Sequence, residues 1–168
     1  MSEIGQSKFI GCLVFWGLGL FIAQLSCESL SGLKIEVLES IPAISSYANA
    51  AAPDDFCVAR ALWMYAWIVA PVAFLYLTII GFREPVQRKT SKQMFFGFFF
   101  FIGLFVAILG VNYYGIYDPY PGSSMSRWAA IYRGSEVGVF IVTAIAWCGL
   151  YSIYLMSVIL VTDVFKSK

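Results

Sequence analysis

Histidine is absent from the 168 residues, and charge is scarce, with only 12% of the chain Asp, Glu, Lys or Arg. Without histidine the commonest zinc ligand, general base and partner of a Ser or Cys nucleophile are all missing. Four cysteines occur, but no two stand in C-x-x-C spacing, so the paired thiols of a membrane thiol oxidase have no motif here. The repeated Asp motifs of a prenyl transferase are missing, as is the matched nucleophile and base of an intramembrane protease. A net charge of +1 and no basic tract argue against nucleic acid as a partner. There is no internal repeat, low-complexity tail or N-glycosylation sequon. Catalytic, cofactor-binding and metal-binding residues are therefore expected to be none, and the chain is not expected to be an enzyme.

What is present is apolar. Hydrophobic residues make up 60% of the chain, aromatic residues 18%, and the mean hydropathy is +0.79. A composition this apolar belongs to an integral membrane protein, and the length leaves room for one helical bundle without a soluble domain. Crossing a bilayer core takes about 20 apolar residues. Four stretches qualify, at about 9–27, 61–82, 93–117 and 137–162, and none contains an ionisable carboxylate or amine. A transporter or channel would bury such groups in its spans. Lys8 before an apolar run, with Leu25-Ser26-Cys27 behind it, has the outline of a cleaved lipoprotein signal. Gln24 stands where that site wants an aliphatic residue, so retention is expected.

Cations set the topology. Arg83, Arg88, Lys89 and Lys92 fall within ten positions that hold a single acid, Glu84, between the second and third spans. The positive-inside rule keeps this bridge in the cytoplasm. Both termini then lie inside with Lys8, Lys166 and Lys168, while Lys34, Arg60, Arg127 and Arg133 lie outside. The fold expected is an all-α, four-helix transmembrane bundle, residues 1–168 as a single domain, with cytoplasmic N and C termini.

In the first outer loop, Leu33, Ile35, Val37, Leu38 and Ile41 allow a short amphipathic helix that Pro42 would end. Ser45, Ser46 and Asn49 read as loop, and Asp54-Asp55 as a helix cap with a first-turn acid in preference to a metal pair. Pro71 should bend the second span. Gly103, Ala107 and Gly110 share one face of the third, where another backbone can approach closely. Another helix of the same bundle is the first expectation for its neighbour, and a partner protein the second. Tyr120, Arg127, Trp128 and Arg133 are candidates for partner contact or for interfacial anchoring in the second outer loop. Thr143, Trp147, Tyr151 and Tyr154 follow one helical face of the fourth span, and their polar atoms require it to look inward.

Cys27 and Cys57 fall at similar depth if the first two spans are antiparallel neighbours. They either form a disulfide that staples the outer loop or remain two small residues that never meet. Cys12 and Cys148 read as packing residues.

Two stretches stand out: Leu38-Glu39-Ser40-Ile41-Pro42-Ala43-Ile44-Ser45-Ser46-Tyr47, with Cys57 shortly before the second span, and Gly149-Leu150-Tyr151-Ser152-Ile153, with the lysine-ended tail after Asp163. Both resemble immunity proteins against pore-forming colicins of the colicin A type. The resemblance implies a multi-pass protein of the bacterial inner membrane, surrounded by membrane lipid, that binds the pore-forming domain of a colicin-like bacteriocin near its hydrophobic hairpin and stops the channel opening. It supplies no catalytic residues. A small structural subunit of a secretion or conjugation complex is the alternative. An oxidoreductase exchanging disulfides with a quinone is a third reading, and would need Cys27 and Cys57 to be catalytic.

Overall fold

The computed structural model describes residues 3–31, 38, 40–84, 91–114 and 130–166, and the only regular structure among them is helical. In chain order these are α1 (Glu3–Leu25), α2 (Cys27–Ser31), α3 (Pro42–Ala50), a 3-10 turn at Pro53–Asp55, α4 (Phe56–Arg83), α5 (Ser91–Tyr114), a helical turn over 130–134 and α6 (Glu136–Lys166). The four long helices have apolar windows of mean hydropathy 1.8 to 2.1 and are long enough to cross a membrane. This is the four-helix bundle read from the sequence, with helices that extend beyond the apolar runs: α1 begins at Glu3 and α4 at Phe56. Backbone groups have no water to bond in hydrocarbon, so a helix continues until its ends reach polar surroundings.

Contacts fix the directions. Gly81 meets Val158, Thr78 meets Tyr154 and Trp63 faces Trp147, so α4 and α6 run parallel, side by side. Gly19 packs on Tyr65, and Lys8 shares a groove with Arg83, which makes α1 antiparallel to α4. Gly97 against Leu160 and Phe105 against Tyr154 make α5 antiparallel to α6. The parallel pair forms the spine, with α1 on one flank and α5 on the other. Burial follows this order: 44% of the apolar window of α6 and 33% of that of α4 are buried, against 17% for α1 and 6% for α5.

Lipid tails are as apolar as leucine, so close approach and polar contacts have to hold these helices together. At Gly81 a Cβ would come within 2.5 Å of Val158 Cγ1, and the absent side chain is what lets α6 approach α4. Thr78 Oγ1 and Tyr154 OH form an interhelical hydrogen bond of 2.8 Å, while Thr78 also donates to the Phe74 carbonyl at 2.7 Å. With that bond already using the Thr78 proton, Tyr154 is the donor across the helix pair. Thr143, Ser152, Ser157 and Thr162 each donate to the carbonyl four residues earlier, satisfying their hydroxyls within α6. The inward face expected of α6 is present, since Thr143, Trp147 and Tyr151 are fully buried and Tyr154 is half-buried.

Pro42 starts a helix where the sequence reading had it end one. Its fixed φ suits the first helical position, where the missing N–H would have had no partner. Ser45, Ser46 and Asn49, read as loop, are therefore helical, and Ser45 Oγ bonds back to the Pro42 carbonyl at 3.0 Å. Leu33, Ile35 and Val37 lie outside the described residues. Asp55 occupies the cap position of α4 but its side chain makes no capping bond, because the 3-10 turn already leads the chain into the helix. Pro71 sits within the continuous helix α4. Ser135 does cap α6, its Oγ accepting the Gly138 N–H at 3.1 Å.

The close approach at Gly81 predicts a contrast between two glycines. Gly81→Leu should destabilise the folded bundle by about 1–3 kcal/mol through overpacking against α6. Gly103→Leu, with no described atom within 4 Å of its Cβ position, should be close to neutral. Unfolding of the two variants in detergent titrations measures the difference.

Candidate partner-binding surfaces

One end of the bundle is built by the connecting segments. In α3, Ala43, Ile44, Tyr47 and Ala48 are buried against α4, with Tyr47 stacked on Trp63 at a ring separation of 3.7 Å and an interplanar angle of 8°. Tyr132, from the turn over 130–134, is fully buried and lies 5.6 Å from Tyr47. Burial pushes both phenols above their ordinary titration range, so they stay neutral. Gly138 holds that turn in place, because a Cβ there would collide with the Ile131 carbonyl oxygen. From Trp63 the ring contacts continue through Trp147 and Tyr151 to Phe74, Tyr154 and Phe105. Each aromatic pair contributes about 0.5–1.5 kcal/mol beyond area burial. This connected row anchors both loop segments to the spine.

The same end is acidic. Gln24 Nε2 donates to Glu136 Oε2 at 3.3 Å, bringing the end of α1 to the start of α6. The charges of Glu28 and Glu136 bear on Cys27, and those of Glu136 and Asp54 on Asp55. A shallow groove of about 210 Å³ opens beside them between α3 and α4, with Ile44, Phe56, Arg60 and Met64 in its wall.

Within this acidic surround the structure brings Cys27 and Cys57 together. The thiols are in hydrogen-bond contact without a disulfide between them, and the reading in which they never meet is set aside. The hydrogen bond to Cys57, then burial and the nearby carboxylates, push the Cys27 thiol up from 9.0 to about 11. Cys12 and Cys148 are half-buried among the packed residues. Among the described residues no group of three or more His, Cys, Asp or Glu is placed to hold a metal ion.

The glycine face of α5 is not where bundle packing would put it. Gly103 and Ala107 are exposed, Gly110 is half-exposed, and nothing described lies within 4 Å of a Cβ placed on either glycine. The expectation of another bundle helix on this face is therefore corrected. Asn112, 1% exposed, and the half-buried Phe105 turn inward instead, and that sets the opposite side of the helix towards lipid. The outward stripe reads Phe96, Phe100, Gly103, Ala107, Gly110 and Tyr114, a smooth saddle with an aromatic rim at each end. Arg133 is exposed at the end of the 130–134 turn, whereas Tyr120, Arg127 and Trp128 lie outside the described residues.

No family model matches the chain, and no curated protein or solved structure does so either.

The contact between the two thiols generates a prediction. At pH 8 a thiol titrating near 11 has about a hundredfold less thiolate than one near 9, and its higher intrinsic nucleophilicity offsets about tenfold of this. Cys27 should therefore alkylate about tenfold more slowly than an ordinary exposed thiol, and recover as pH rises towards 11. Mild oxidation should join Cys27 to Cys57 within one chain. Mass spectrometry after maleimide labelling reads both outcomes.

Proposed function

We propose that the protein is an immunity protein of the bacterial inner membrane, which binds the pore-forming domain of a colicin-like bacteriocin within the bilayer and prevents its channel from opening. The observation that carries this reading is the outward saddle of α5. Association between helices in lipid depends on small residues that let backbones approach, and Gly103, Ala107 and Gly110 supply such a face with no described residue filling it. A hydrophobic hairpin lying in the same membrane is the kind of partner that fits. The flanking rings, Phe96 and Phe100 at one end and Tyr114 at the other, give the site a length and a register. The acidic end, with Arg133 on its rim, offers polar contacts that discriminate among toxins by charge. The distribution of lysine and arginine in the sequence supports an orientation with this end facing the periplasm and both termini in the cytoplasm. The resemblance of residues 38–47 and 149–153 to the colicin A-type immunity proteins points the same way.

The meeting of Cys27 and Cys57 favours a second reading, disulfide exchange with a quinone. The direction of the Cys27 shift argues against it. Catalytic thiols are activated by lowered pKa values, and this one is raised, first by its hydrogen bond to Cys57, then by burial and the nearby carboxylates. A structural subunit of an envelope complex would draw on the α5 face as well, and differs in needing no toxin.

Expression in a sensitive bacterium should confer resistance to one pore-forming toxin, even when the toxin is delivered past its receptor. Gly103→Leu combined with Gly110→Leu should lower the tolerated dose by about tenfold, equivalent to about 1.4 kcal/mol of lost association, with the membrane level of the protein unchanged. Full protection by the double variant would remove the α5 face from the mechanism. Stable copurification with an envelope assembly in cells carrying no bacteriocin would favour the subunit reading.

A further inference from the structure

A second open surface lies on the other flank of the bundle, between α1 and α4. Near the start of α1 a cavity of about 460 Å³ has Lys8 on one wall and Arg83 on the other. Deeper along the same two helices lies an apolar cavity of about 320 Å³, between Cys12 and Phe15 of α1 and Val72 and Ala73 of α4. Tyr76 borders both. The lining positions advance along α1 as they recede along α4, so the two cavities form one groove down an antiparallel helix pair.

We infer that this groove is a site for one anionic phospholipid, with the phosphate between Lys8 and Arg83 and an acyl chain along the apolar part. Length supports it. At a rise of about 1.5 Å per residue, Lys8 to Trp16 covers about 12 Å and Arg83 to Val69 about 21 Å. These bracket the half-thickness of a hydrocarbon core about 30 Å across. The groove also closes at the right depth, because beyond Trp16 the helices come together where Gly19 packs against the Tyr65 phenol. Small side chains keep it open, and a Cβ on Gly11 would meet no described atom within 4 Å. Charge is placed at the headgroup end only. Glu84 also lines this cavity but is only 4% exposed, whereas Lys8 and Arg83 are both exposed, so the exposed charge at the mouth is cationic. Protein packing leaves a slot one leaflet deep with two cations at its mouth, which matches a phospholipid and suits a zwitterionic one less well.

Native mass spectrometry of the full chain, released from bilayers of equal parts phosphatidylglycerol and phosphatidylcholine, tests the site. The expected result is one retained phosphatidylglycerol per chain. A cation near an anionic headgroup is worth about fivefold, so retention should fall by about that factor in Lys8→Gln and by about thirtyfold in Lys8→Gln with Arg83→Gln. Gly11→Leu, which adds a side chain to the slot lining where a Cβ meets no described atom, should lose the lipid with both cations in place. Equal retention of the two lipids, or retention unchanged in both the double variant and Gly11→Leu, overturns the inference. So does competition by inorganic phosphate, which would identify a simple anion site. A dimer that disappears in Gly11→Leu, with no lipid retained, would make a second copy the occupant and also overturn it. None of these readouts involves a toxin, so the lipid site stands or falls apart from the proposed immunity function.

Discussion

The close, parallel contact between α4 and α6 is the constraint on which the rest of the molecule depends. Two helices that enter the bilayer from the same side are joined through an intervening span, so no short loop holds them together, and lipid gives them no hydrophobic reason to associate. Shape and polar contacts have to supply the attraction. Gly81 admits Val158 at one end, Thr78 and Tyr154 share a hydrogen bond nearby, and the indoles of Trp63 and Trp147 meet towards the other end. Once this pair is fixed, α1 and α5 have a surface to lie against on each side. Their directions follow from the alternation of the chain across the membrane.

The rings in the spine have polar edges, and hydrocarbon makes those edges expensive to strand. Trp67, Trp147 and Tyr151 each bury a polar atom with no hydrogen-bond partner among the described residues. They are set against one another's faces instead, as in the perpendicular contact of Trp67 with Trp147 at 5.2 Å. Edge-to-face packing places the positive edge of one ring on the negative face of the next and recovers part of the loss. The same preference draws the loop segments inward. Tyr47 stacks on Trp63 and Tyr132, from a different loop, packs on Tyr47, so the acidic end is attached to the spine by the same row of rings that binds the spine itself.

Apolar length made the spans legible in the sequence, because the bilayer sets that length independently of packing. The inward stripe of α6 could also be read, since Thr143, Trp147, Tyr151 and Tyr154 carry polar atoms that hydrocarbon would penalise. The glycine face of α5 could not be oriented in the same way. Both sides of that helix are apolar and aromatic, so periodicity carries no contrast, and one buried amide, Asn112, shows which side turns in. Pro42 was misread because proline excludes the helix interior while suiting its first turn, and the residues around it do not say which applies. Antiparallel neighbours bring their loop-side ends together, so the sequence placed Cys27 and Cys57 at similar depth and left open whether they meet, which depends on packing that neither span records.

The arrangement leaves the two flanks of the spine with different chemistry. On the α5 side the open surface is smooth, uncharged and rimmed by rings, which suits a helix that presents small residues or fits between Phe100 and Tyr114. On the α1 side it is a slot with cations at one end, which suits a molecule carrying a phosphate and a flexible chain. Because α4 and α6 stand between them, a lipid held in the slot does not block the saddle. A lipid wedged between α1 and α4 would add packing to the α1 flank, where 17% of the apolar window is buried within the protein. A bundle with so small a protein core can in this way borrow part of its packing from the bilayer and still present one unoccupied face to recognise.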